Sequence, residues 1–111
     1  MVVHIKRDFV DHDRIVTSKK IVTIFTEWIV CHTWQRMPQL TNKRKQILDR
    51  YIQMKGYNAI ITTLRFIASD DPHAKWLRDN KYTFFDNIFN DHKWDIRYKR
   101  AQKYFKQKEK K

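Results

Sequence analysis

The sequence predicts an all-α fold: a compact bundle of about five helices with a short extended N-terminal arm and a basic C-terminal helix. Three observations carry this. One glycine and two prolines in 111 residues leave little material for hairpin turns. Tyr57, Ile60, Ile61, Leu64, Ile67 and Ala68 fall at i, i+3, i+4, i+7, i+10 and i+11, the spacing of a central core helix. Helix punctuation is present as well, with Thr41 able to start a helix and Gly56 able to stop it in a left-handed conformation. The length sets one domain and is enough to fold without staples. Residues 1–16 are assigned to the arm, 17–105 to the helical domain and 106–111 to a frayed basic tail.

In the arm, Val2, Val3, Ile5, Phe9, Val10, Ile15 and Val16 are strand-like types interrupted by Asp8, Asp11 and Asp13. The first helix is expected from a Ser18 cap to about residue 35. Ile21, Ile24, Phe25, Trp28 and His32 form its stripe, widened by Val22 and Ile29. Its β-branched residues leave a strand as the alternative over 21–25. Pro38 ends the element. The second helix turns Ile47, Leu48, Tyr51 and Ile52 inward. Helical arithmetic also places Arg44 in that apolar arc, where a guanidinium needs a partner, and Asp86 is the expected one.

Asp70-Asp71-Pro72 breaks the third helix, and residues 73–78 read as one helical turn. The stretch from Trp76 to Trp94 organises the rest. Phe85, Ile88 and Phe89 share one face of a short helix, with Thr83 as its cap and Asp86 in its first turn. So short a helix needs clamping, and Trp76 and Trp94 are the expected clamps. Asn90-Asp91 ends it and starts a last helix to about Lys106, with Trp94, Tyr98, Ala101 and Phe105 inward. Trp28, Ile61, Leu64, Trp76, Phe85, Phe89 and Trp94 are expected in one core.

This order of parts resembles the C-terminal helical domain of replication initiators and replisome organisers of phages and other mobile elements. The residues that carry the resemblance are Leu40-Thr41-Asn42-Lys43-Arg44-Lys45, the helix from Ile60 to Ser69, Trp76, Phe85-Asp86-Asn87-Ile88-Phe89 and Trp94. They are structural residues and span roughly residues 28–105. None of these 111 residues is expected to form the N-terminal winged-helix origin-binding domain usual in that family, so origin recognition is not expected of them. The resemblance implies an all-helical fold and a second contact with a helicase, helicase loader, polymerase or primase.

Charge is the strongest bulk signal: 24 Lys and Arg against 12 Asp and Glu give a net +12. Such an excess favours nucleic acid, an anionic surface or an acidic protein as partner. The candidate nucleic-acid contacts are Lys43, Lys45, Arg50 and Lys55 on the second helix and Lys93, Arg97, Lys99, Arg100, Lys103 and Lys106 on the last. Residues 93–111 hold nine cations against Asp95 and Glu109. Among the interleaved aromatics, Tyr57, Tyr98 and Tyr104 read mainly as core. Tyr82 and Phe84 are expected to stay open and stack unpaired bases, because Phe85 takes the inner face. Val22, Ile29, Val30 and Phe9 are the expected docking surface for a protein partner.

No catalytic constellation is present, so no enzymatic activity is expected. His4, His12, His32, His73 and His92 share no ligand spacing, and neither a metal nor a cofactor is expected. Cys31 is the one cysteine and fits a reducing cytosol. No signal peptide and no apolar run of ~20 residues is visible, so a cytoplasmic, membrane-free protein is expected. The favoured expectation is a small accessory protein for phage or mobile-element replication that binds single-stranded DNA. The alternatives are a phage-type inhibitor of an acidic host protein and an RNA-binding module.

Overall fold

The computed structural model describes residues 17–31 and 37–109. The expected arm, with Phe9, lies outside them, as do His32 and the last two lysines. Six helices follow one another in the described residues, with no strand among them. Helix α1 covers 17–29, α2 Asn42–Lys55, α3 Tyr57–Ile67, α4 Pro72–Asp79, α5 Phe85–Ile88 and α6 Asp91–Glu109.

Helix α3 is the axis of the bundle. It packs more extensively against α6 than against α2 or α4, which lie on its other sides. Six of its eleven residues are buried, among them Ile60, Ile61, Leu64 and Ile67. Gly56 alone joins α2 to α3. Its φ of +90° is open to glycine and strained for any L side chain, so the sharp corner depends on this residue. Thr41 caps α2 by accepting from the Arg44 amide.

Helix α1 places Ile21, Ile24, Phe25 and Trp28 in the core, so the residues open to a strand reading are helical. It ends sooner than expected, at residue 29. The Cys31 amide bonds to the Trp28 carbonyl at 3.0 Å, which tightens the last turn instead of extending the helix. Thr17 is already helical, which puts Ser18 inside α1 rather than at its cap. Trp28 ties this helix to the far end of the chain. Its indole N–H donates to the Thr83 carbonyl at 2.8 Å, and its ring meets Phe85 edge-on at 5.4 Å.

The short helix α5 is held as expected: Phe85, Ile88 and Phe89 are buried, and Trp94 stacks on Phe89 at 5.9 Å. Two expectations about it fail. The N-cap is Phe84, whose carbonyl accepts from the Asn87 and Ile88 amides. Thr83 lies one residue too early; its hydroxyl is buried and finds no partner among the described residues. Trp76 does not clamp. On α4 the inner face belongs to Ala74 and Leu77, three residues apart, and Trp76 projects away from it, 51% exposed.

Helix α4 runs two turns rather than one. Asp71 accepts from the His73 and Ala74 amides, and Pro72 sits in the first turn where no N–H is needed. Arg78 closes it onto α3 by donating to the Ile67 and Ser69 carbonyls at 2.5 and 2.7 Å. Those are orphan acceptors at and beyond a helix end.

Helix α6 stays helical through Glu109, past the expected fraying point near Lys106. Tyr104 donates to Asp70 at 2.6 Å, and Lys108 reaches the same carboxylate at 3.6 Å while lying over the Tyr104 ring. Arg97 corrects the expected interface. It is only 6% exposed and donates to the Asn87 carbonyl in the last turn of α5. Arg97→Met is therefore expected to cost about 1–3 kcal/mol of stability by leaving that carbonyl without a donor. Urea denaturation measures this; a wild-type midpoint would contradict the buried role.

Candidate nucleic-acid interface

The C-terminus of α4 builds the most distinctive surface of the molecule. The Tyr82 amide bonds back to the Leu77 carbonyl at 2.8 Å and the Lys81 amide to the Arg78 carbonyl at 3.1 Å. These are the paired bonds of a Schellman motif, with Asn80 as the cap. The left-handed position, usually glycine, is Lys81 at φ +62°. The motif carries the residue after Lys81 back over the helix, and Tyr82 lands on Trp76.

The result is a column of rings. Trp76 and Tyr82 stack at 5.4 Å with their planes 24° apart. His73, one turn earlier on α4, stacks on Trp76 at 5.8 Å and 13°. Lys93 of α6 closes the column, with its ammonium 5.7 Å from the Tyr82 ring centre. Trp76 and Tyr82 remain 51% and 40% exposed, so their neighbours in the column cover each of them only in part. Burial and then the nearby Arg100 charge hold the His73 imidazole below its ordinary pKa, against the opposing pull of Asp71. Both effects favour the uncharged form of the ring.

Helix α6 supplies charge along this column. Lys93, Ile96, Arg100 and Lys103 recur at i, i+3, i+7 and i+10, one exposed stripe. Lys93 touches Tyr82, and Arg100 acts on His73, so the stripe borders the rings. Lys99 and Lys106 are exposed on the outer side of the same helix. The opposite flank of α6 is acidic and faces α2. Asp91 accepts from the Tyr51 hydroxyl at 2.5 Å and pairs with Arg50 at 3.6 Å, and Asp95 pairs with Lys55 at 3.2 Å.

The two basic helices therefore do not form one surface. Of the residues expected on the interface, Tyr82, Lys93 and Arg100 come together, and Lys103 continues the exposed α6 stripe three residues beyond Arg100. Arg97 lies beneath them in the core, and Arg50 and Lys55 are engaged with carboxylates across the helix. Lys43 and Lys45 are exposed on α2. Phe84 is open, as expected, and lines a separate cleft with Trp28. Trp76 and His73 were not legible as site residues. The signal for Trp76 was its place one residue before Leu77, off the Ala74–Leu77 face.

On α1, Val22 and Val30 are exposed and Ile29 is half-buried. Arg44 finds the Gln39 carbonyl at 2.7 Å, not Asp86, and lies 5.4 Å from both the Trp28 and Phe85 ring centres. Burial pushes the Cys31 thiol up to about 12, which leaves no thiolate at neutral pH. Among the described residues no group of three or more His, Cys, Asp or Glu side chains is placed to hold a metal ion. None of the described helices is long and apolar enough to cross a membrane. Comparison with known protein families, curated proteins and solved structures finds no match for the chain.

Proposed function

We propose that this protein binds single-stranded DNA, laying unpaired bases on the His73–Trp76–Tyr82 column and their phosphates along Lys93, Arg100 and Lys103. The observation that carries this reading is the exposed ring column bordered by a cationic stripe. Every base has a π face, so such a platform favours a strand without demanding a sequence. A duplex keeps its bases stacked on one another and offers the rings nothing but its backbone. The resemblance to replication initiators supports an accessory role beside a polymerase, primase or helicase. The exposed Val22 and Val30 on α1 would then form part of the contact with that enzyme.

The test is fluorescence anisotropy with a labelled oligothymidine of about 20 nucleotides. Neutralising three phosphates on single-stranded DNA gives a slope of about −2 in log affinity against log salt. The double variant Lys93→Ala, Lys103→Ala is expected to flatten that slope by about 1.4, since each lost contact removes about 0.7. Binding that ignores salt, or duplex of the same length bound equally well, would overturn the reading. An RNA oligomer bound in strong preference to DNA would move the assignment to RNA.

A further inference from the structure

Helix α6 carries one residue that the charge of its stripe does not explain. Ile96 is the apolar member of a row otherwise made of Lys93, Arg100 and Lys103, and it is 60% exposed. A single exposed isoleucine is ordinary on a protein surface. Its level on the helix is what sets it apart. The Lys93 ammonium lies by the Tyr82 ring and the Arg100 charge acts on His73, so α6 runs along the column from its Tyr82 end to its His73 end. A helix rises about 1.5 Å per residue, which puts Ile96 about 4.5 Å beyond Lys93 and Arg100 about 6 Å beyond Ile96. The ring centres follow at similar steps, 5.4 Å from Tyr82 to Trp76 and 5.8 Å from Trp76 to His73. Ile96 therefore stands level with Trp76, which is half-exposed as well. Helices α4 and α6 both pack on α3 and pack little on each other. The space between them has an aromatic wall and an aliphatic wall, with a cation at either end.

We infer that Ile96, level with Trp76, receives the C5 methyl group of a thymine in the bound strand and so sets a preference for thymine over uracil. The inference rests on the single-stranded reading above and names the strand that reading favours. Phosphates held by Lys93 and Arg100 bring the base between them to Ile96. Thymine and uracil carry the same hydrogen-bond donors and acceptors, so polar side chains cannot tell them apart. They differ by one methyl group, which only an apolar contact reads. Isoleucine offers a branched alkyl surface and no polar atom. RNA carries uracil where DNA carries thymine, so the same contact favours DNA independently of the 2′-hydroxyl. Fully burying one methyl group corresponds to about a four-fold gain in affinity. A groove with one side open to solvent delivers part of that.

The experiment compares oligothymidine with oligodeoxyuridine of the same length, about 20 nucleotides, by anisotropy. Oligothymidine is expected to bind about two- to four-fold more tightly. The salt slope should be the same for both, because their backbones are identical. Oligodeoxycytidine should gain by a similar factor when its bases carry a 5-methyl group. Ile96→Ala should remove both gains and leave the oligodeoxyuridine salt slope and the melting curve unchanged, since Ile96 is exposed. Ile96→Val, which keeps a branched alkyl surface, should retain most of the thymine gain. Equal affinity for the thymidine and deoxyuridine oligomers would overturn the inference and leave the platform standing. A thymine gain that survives Ile96→Ala would overturn it too, because the methyl group would then act through the rings alone. Failure of both oligomers to bind would instead overturn the single-stranded reading, and this inference with it.

Discussion

Trp76→Ala is expected to weaken single-stranded DNA binding by about 1–3 kcal/mol, or roughly 5- to 150-fold, while leaving the fold intact. The binding loss follows from the position of Trp76 in the middle of the column, where it touches both His73 and Tyr82. Removing it separates the other two rings and leaves no continuous surface. The unchanged fold follows from its 51% exposure and from the inner face of α4 being held by Ala74 and Leu77. A stability change within about 1 kcal/mol is expected for a substitution so far from the core contacts. Anisotropy and thermal melting on the same sample separate the two effects. A large loss of melting temperature with unchanged affinity would return Trp76 to a structural role.

Trp28→Ala is expected to do the reverse and cost about 3–5 kcal/mol of stability. Trp28 is 1% exposed and joins α1 to Phe85, to Arg44 and to the Thr83 carbonyl. Its loss opens a cavity and also leaves a buried carbonyl without its donor. Against a total stability of about 5–15 kcal/mol, this removes a large share of the folded population's advantage. The midpoint of thermal melting should fall by roughly 12–30 °C. Trp28→Phe keeps most of the ring and loses the N–H, so it should cost about 1 kcal/mol from the hydrogen bond alone. A wild-type melting curve for Trp28→Ala would show that α1 is not part of the cooperative unit.

The contrast between these two tryptophans shows where the sequence was legible. Helix α3 was, because its apolar spacing is unbroken and Gly56 marks its start. The Phe85–Phe89 face was, because three large apolar residues at i, i+3 and i+4 have one way to be buried. Trp76 was misplaced because residue type outweighed position: a tryptophan is expected inside, yet Ala74 and Leu77 had already defined the face. The ring column was hidden for a different reason. Its Schellman turn carries Lys81 where a glycine would announce it. Arg97 shows the same bias with the opposite sign. Trp94, Arg97 and Ala101 stand at i, i+3 and i+7, so the spacing alone places Arg97 inward, and its charge argued it outward. What no pattern in the chain announces is the carbonyl it meets, which depends on how α5 seats against α6.

The placement of Asp91 and Asp95 on one flank of α6, with Lys93 and Arg100 on the other, gives this helix a polarity across its axis as well as along it. Arg50 and Lys55 offset those two carboxylates, so a polyanion of the kind proposed above would meet only a weak torque toward the Lys93 and Arg100 side, in addition to an attraction. Added salt shortens the reach of that torque to within a Debye length, about 8 Å at physiological ionic strength. Salt should then act first on how often an encounter is correctly oriented, a matter of association rate. If bases rest on the rings as proposed, the time a strand stays bound would depend on those contacts as well and should change less.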